Sequence, residues 1–142
     1  MQYAQLVQLY FERSNALQWY WTIYVLVIGG LLAFSSLRTR RDAITGILVT
    51  VLFCFFAYKN LGAIHDVTDQ RRATLQAIHE CLPAEGWGGT ESKQRALIEP
   101  TLIAPDFEGI QNFHIASDVL TVAALWAMEL RRMRIARAEA AK

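Results

Sequence analysis

The chain has 142 residues, of which 54% are hydrophobic and 19% charged, with a formal net charge of +1. This length allows a single domain, and the hydrophobic content excludes a disordered chain. Because 14 Lys and Arg residues nearly balance 13 Asp and Glu residues, there is no basic field to attract nucleic acid, which is excluded as a partner. The mean hydropathy of +0.20 is typical of a membrane protein.

Two apolar windows are long enough to cross a bilayer, whose core of about 30 Å needs about 20 apolar helical residues. Residues 17–37 contain no Asp, Glu, Lys, Arg or His. Residues 43–64 contain Lys59 near one end, where its long stem can carry the ammonium to the headgroups. We predict that both windows are transmembrane helices.

The third window, residues 113–130, is less apolar because it contains His114, Asp118 and Glu129. A buried helix of a soluble protein is the alternative for this window. With three spans, the sequence predicts an all-α integral membrane protein that forms a single membrane domain over residues 1–142.

Arginines next to the spans predict the orientation, since cytoplasmic loops are rich in Arg and Lys. Three arginines lie in the connection 38–42, and five basic residues lie in the tail 131–142, whereas acids outnumber bases in residues 65–112. We therefore predict an extracytoplasmic N-terminus and segment 65–112, a cytoplasmic tail 131–142, and a location in the cell (inner) membrane. The aromatic residues expected at the outer interface are Trp19, Tyr20, Trp21 and Tyr58.

A cleaved signal peptide is the competing interpretation of the first apolar window, because Ala33-Phe34-Ser35 resembles a cleavage site. A signal peptide has its positive charges before the apolar run. Here the strong positive cluster follows the run, so we expect the whole chain to be mature.

The N-terminus shows a helical apolar stripe, formed by Tyr3, Leu6, Val7, Tyr10 and Phe11. It predicts an N-terminal amphipathic helix. This helix either lies on the outer leaflet or continues span one and packs on the rest of the protein.

The segment after span two predicts a small helical extracytoplasmic region. The helical pattern continues to about Cys81, and Pro83 ends it. Glu91 to Leu97 is a second, short helix candidate, and Asp106 is a candidate N-cap of the last helix.

Asp118 is the most unusual residue, since a carboxylate inside a span costs about 2.5 to 3.5 kcal/mol and usually faces the bundle interior or a wet cavity. Counted from the cytoplasmic ends of their helices, Asp118 lies about 18 Å and Lys59 about 24 Å up the bundle. We expect a Lys59–Asp118 bridge, or a bond from Asp118 to Thr121 or His114. An ion or proton relay through Asp118, His114 and Lys59 is the alternative.

The histidines and cysteines do not predict a metal or catalytic site. His65 and His79 would stand about 21 Å apart on one helix, and His114 with Asp118 supplies only two ligands. Cys54 lies within span two and Cys81 lies outside it, so no disulfide is predicted. We therefore expect no catalytic residue, no metal and no cofactor.

Small residues recur at intervals of four in all three windows, which lets helices approach closely in lipid. We expect them to pack the bundle internally, with self-association through the same faces as the alternative. These helix-packing candidates are Gly29, Ala33, Gly46, Thr50, Cys54, Ala123 and Ala127.

The function that these observations favour is a non-catalytic accessory or scaffold subunit of a membrane complex, with membrane lipid and a protein partner or further copies of itself as partners. The runner-up is an oligomeric ion or proton pathway that uses the intramembrane polar residues. A small membrane haem or metal enzyme, using His65 or His79 with His114, is the third alternative.

Overall fold

The computed structural model describes residues 3–38, 42–81, 89–103 and 106–141. These residues form helices and their connections, and the described part of the chain contains no strand. The helices are α1 (Tyr3–Leu37), α2 (Ala43–Glu80), α3 (Gly89–Ile98) and α4 (Phe107–Ala140), and a 3₁₀ turn (Glu99–Thr101) follows α3. Helices α1, α2 and α4 are each long and apolar enough to cross a membrane, which confirms the all-α prediction with three candidate spans.

Helix α1 joins the amphipathic N-terminus and the first apolar window into one continuous helix of 35 residues, about 52 Å long. Of the two expected arrangements, the structure therefore has the one in which span one is extended. The stripe residues Leu6 and Tyr10 form an apolar cluster with Ile78 of α2 and with Leu102, just after the 3₁₀ turn. We call this end of the bundle, where α1 begins and α2 ends, the α3 end.

Both predicted boundaries of the later helices are found. Helix α2 ends at Glu80, with Cys81 as its C-cap. Helix α4 is capped by Asp106, whose side chain accepts hydrogen bonds from the backbone N–H groups of Glu108 and Gly109. The predicted turn at Pro83 lies outside the described residues.

Helices α1 and α2 are antiparallel, and α4 packs against both of them. A second apolar cluster lies nearer the middle of the bundle, where Leu17 of α1 contacts Ile64 and Val67 of α2. The first turn of α4, with Phe107 and Ile110, packs against the same cluster. Helix α4 therefore begins beside the middle of α2 and runs parallel to α1 toward the α1–α2 connection.

The small-residue positions lie mostly on the outside of the bundle. Five of the seven candidates are exposed: Gly29, Ala33, Cys54, Ala123 and Ala127. Gly46 and Thr50 are half-buried, and a Cβ added at Gly29 or at Gly46 would meet no atom within 4 Å. Larger side chains form the contacts between the helices, and self-association through the small residues stays a prediction.

Candidate functional site

Four polar side chains from three helices meet inside the bundle, and we call them the polar network. They are Tyr24 of α1, Asn60 of α2, and His114 and Asp118 of α4. The first three are 2%, 6% and 0% exposed, and the side chain of Asp118 is 22% exposed. The network therefore lies within the windows whose composition is otherwise apolar.

Hydrogen bonds connect all four members. The Tyr24 hydroxyl donates to Oδ1 of Asp118 at 2.8 Å and lies 3.3 Å from the backbone carbonyl oxygen of His114. Nδ1 of His114 lies 2.8 Å from Oδ2 of Asp118, and its Nε2 lies 3.3 Å from Nδ2 of Asn60. One neutral tautomer satisfies both ring contacts: Nδ1–H donates to the carboxylate, and Nε2 accepts from the Asn60 amide.

Aromatic rings enclose the imidazole. The centroid of the Tyr24 ring lies 4.1 Å from that of His114, and the centroid of the Trp21 ring lies 5.9 Å away. Because both ring nitrogens are bonded and the residue is fully buried, His114 offers no nitrogen to a substrate. The arrangement can hold three helices together, and its chain of hydrogen bonds contains groups that can carry a proton.

Lys59 is not part of this network. It is exposed, and its ammonium lies 6.0 Å from the centroid of the Tyr58 ring. The expected Lys59–Asp118 bridge does not occur among the ion pairs of the described residues. Of the two other partners expected for Asp118, His114 makes the contact, whereas the Thr121 hydroxyl donates to the backbone carbonyl of Ser117.

Sequence reasoning missed Tyr24 and Asn60 as members of the site. Both carry a polar group within an apolar window, and such groups usually face the interior of the bundle. Asn60 also follows Lys59 directly, and counting residues along the helices places it at a height along the bundle similar to that of His114. That signal was available from the sequence.

A second buried polar contact joins α1 and α4 near the α1–α2 connection. Glu129 is 4% exposed, and its Oε2 lies 2.9 Å from Nη1 of Arg132. The other terminal nitrogen of Arg132 donates to the backbone carbonyl of Ser35, in the last turn of α1. A guanidinium is favourable there because the last carbonyls of a helix lack partners and carry partial negative charge.

Another arginine binds the end of α2 in the same way. Arg95 of α3 donates to the backbone carbonyls of Cys81 at 2.6 Å and Ile78 at 3.2 Å, and it pairs with Glu99 at 2.5 Å. These bonds attach α3 to the C-terminal end of α2.

Tyr10 and Arg71 attach the segment after the 3₁₀ turn to α1 and α2. The Tyr10 hydroxyl donates to the backbone carbonyl of Ile103 at 2.6 Å. Arg71 donates to the Tyr10 oxygen at 2.7 Å and to the same carbonyl at 3.1 Å. Together with Arg95, these contacts order the α3 end of the molecule.

The structure does not bring the histidines together as ligands. His65 is exposed and lies 3.7 Å from Asp66 and 3.6 Å from Asp69, while His79 is exposed as well. Within the described ranges, no group of three or more His, Cys, Asp or Glu side chains could hold a metal ion. Among the described residues, Cys54 and Cys81 do not form a disulfide.

Comparisons of the chain with protein-family models, with curated proteins and with solved structures find no match.

Proposed function

We propose that this protein is a small three-span membrane protein that acts as a non-catalytic accessory or scaffold subunit of a membrane complex. The observation that carries the proposal is the polar network. Each of the three long helices contributes to it, and its members are hydrogen-bonded to one another inside the bundle. Helix association in lipid depends on packing and on hydrogen bonds between helices, so such a network favours a rigid structural unit.

The arginine distribution supports an orientation in which the α3 end is extracytoplasmic and the tail 131–142 is cytoplasmic. In this orientation α2 extends about 20 Å beyond the start of α4, counted from Phe107 beside Val67 to the end of the helix at Glu80. Helix α3 is bound to that extension through Arg95. The α3 end would then be an ordered cap outside the membrane.

Two apolar side chains on this cap support a protein partner or a second copy of the chain. Leu97 is 75% exposed and Ile103 is 70% exposed. On the aqueous side of a membrane, a partner that covered them would remove apolar surface from water, which is favourable. The exposed apolar residues of the three spans have membrane lipid as their partner.

A proton pathway is the second candidate, and one specific observation favours it. The hydrogen bonds run without interruption from Tyr24 through Asp118 and His114 to Asn60. Chains of ionisable groups within spans mark proton relays in pumps and transporters. Asp118 is the member of this chain with the largest exposed fraction, so it is the point where a proton would enter or leave.

Purification from native membranes in a mild detergent tests the proposal. Light scattering measures the mass of the particle, and protein identification, an absorption spectrum and metal analysis measure its content. We expect a colourless, metal-free particle that contains a second protein or further copies of this chain. A pigmented or metal-loaded particle, or a lone monomer, contradicts the scaffold role.

Reconstitution separates the two candidates. Vesicles with the wild-type protein should show no more proton flux than protein-free vesicles. A flux that disappears in Asp118→Asn, while the variant keeps its folded state, would favour the pathway instead.

A further inference from the structure

A groove of about 530 Å³ lies between α2 and α4, beside the polar network. Its walls include Phe53, Cys54 and Ala57 of α2 and Val119 and Ala123 of α4, and Asp118 also lines it. Binding sites for small molecules measure about 300 to 1,000 Å³ and combine apolar walls with a few placed polar groups. The groove has this size and this composition.

Asp118 has hydrogen-bonding capacity that the network does not use. An ionised carboxylate offers about four acceptor positions, and Tyr24 and His114 each occupy one. The side chain of Asp118 is 22% exposed, and Asp118 lines the groove. Acyl chains cannot donate a hydrogen bond, so a carboxylate facing lipid alone keeps its desolvation cost. An occupant with a donor group removes part of that cost.

The groove is open on the outer side of the bundle. Cys54, Val119 and Ala123 are exposed, and they lie within segments expected to contact lipid. A ligand would therefore enter sideways from the acyl-chain region and must be soluble there. One donor group and an apolar body are the chemistry that the walls select.

We propose that this groove binds a lipid-soluble alcohol or phenol, whose hydroxyl donates a hydrogen bond to Asp118 while its apolar body lies against Phe53 and Val119. The inference shares with the proposed function the insertion of α2 and α4 in a membrane, and it does not depend on a scaffold role. A transmembrane helix of another protein is the competing occupant. The volume of the groove and the hydrogen-bond acceptor at Asp118 in its wall favour the small molecule.

Photolabelling of the purified full-length chain in detergent micelles tests this proposal. The probe is an alkylphenol that carries a diazirine on its chain, and mass spectrometry locates the labelled residues. Nonylphenol and its methyl ether serve as competitors, since they differ in the hydroxyl donor. We expect labels on groove residues of α2 and α4, and we expect nonylphenol to compete at about a tenfold lower concentration than the ether, as a bond to a charged acceptor implies.

Two matched variants define the site without disturbing the network. Ala123→Phe fills the groove and should remove most of the labelling. Ala127→Phe, one turn further along α4 at another exposed position and outside the groove wall, should leave the labelling unchanged. In folded Asp118→Asn protein, nonylphenol and its methyl ether should compete at more similar concentrations than in the wild type.

Three results would overturn the proposal: equal competition by phenol and ether, undiminished labelling of Ala123→Phe, or cross-linking of the groove to another protein's helix in the native particle. The first two results leave the co-purification of a partner untouched, and the third would support the scaffold role, so failure here is distinguishable from failure of the scaffold role.

Discussion

The hydroxyl of Tyr24 donates a 2.8 Å hydrogen bond to Oδ1 of Asp118, and this bond joins α1 to α4 inside the bundle. The carboxylate would be costly in an apolar helix without such partners. His114 contributes the second partner and connects the pair to Asn60 on α2. Asp118 and His114 together thus link α4 to α1 and to α2.

Lys59 and Asp118 should behave independently when they are substituted. Because Lys59 is exposed and outside the network, Lys59→Met should change the free energy of unfolding by less than about 0.5 kcal/mol. Asp118→Asn should destabilise the protein, since it weakens two part-buried hydrogen bonds, those with Tyr24 and His114. Thermal unfolding in detergent measures both effects. Recovery of stability in the double variant would show instead that the two side chains form a bridge.

Buried and exposed small residues on the spans should respond differently to a larger side chain. Ala57 is 5% exposed between the helices, so Ala57→Leu should overpack the bundle and cost about 1 to 3 kcal/mol. At Gly29 an added Cβ meets no atom within 4 Å, so Gly29→Leu should leave the stability of the monomer nearly unchanged. Equal losses of stability in Ala57→Leu and Gly29→Leu, measured by thermal unfolding, would contradict the placement of Ala57 inside the bundle and of Gly29 outside it. A lower oligomeric mass of Gly29→Leu would support self-association through the small residues.

The start of α2 should contribute a pH-dependent stabilisation through Asp42. Its carboxylate accepts hydrogen bonds from the Thr45 hydroxyl and the backbone N–H groups of Thr45 and Ile44, with Thr45 contributing most, and these bonds hold the pKa of Asp42 below its usual 3.8. A carboxyl whose pKa is lower in the folded state stabilises the protein above the unfolded pKa, and the effect is lost as the pH falls through the folded pKa.

Asp42→Asn is the matched variant, because asparagine caps helices equally well and does not titrate. The unfolding midpoint should therefore fall less steeply below about pH 4 in the variant than in the wild type. Identical pH profiles of the two proteins would contradict a titrating cap.

A reporter that is active only in the cytoplasm tests the proposed orientation. Because arginines flank the α1–α2 connection and fill the tail, the reporter should be active after Lys142 or inserted near Thr39. It should be inactive after Gly88, in the segment assigned to the outside. Activity at Gly88, or its loss at Lys142, would reverse the orientation or remove the third span.

The sequence predicts the helices well because the length of an apolar run and the capping residues are local properties. The three windows, the end of α2 and the Asp106 cap all follow from neighbouring residues. The level of a residue along the bundle is also predictable, since each residue rises about 1.5 Å. Counting residues along each helix is therefore enough to place Lys59, Asn60 and His114 at similar levels.

The rotation of each helix about its axis is what the sequence does not determine. Lys59 and Asn60 are neighbours on α2, yet their side chains point about 100° apart. The structure turns Asn60 to His114 and leaves Lys59 exposed, so the expected bridge from Lys59 to Asp118 does not form, whereas the expected contact of Asp118 with His114 does. Packing of Leu17 against Ile64 and Val67 sets that rotation, and it involves residues far apart in the chain.

A double-mutant cycle between Tyr24→Phe and Asp118→Asn tests most directly whether the polar network is a structural link. The free energies of unfolding of the wild type, both single variants and the double variant are measured in one detergent. The account predicts that the losses are not additive, with a coupling of about 0.6 kcal/mol, the average for hydrogen bonds between helices in membranes, and at most about 1.7 kcal/mol. Additive losses, with a coupling near zero, would contradict it.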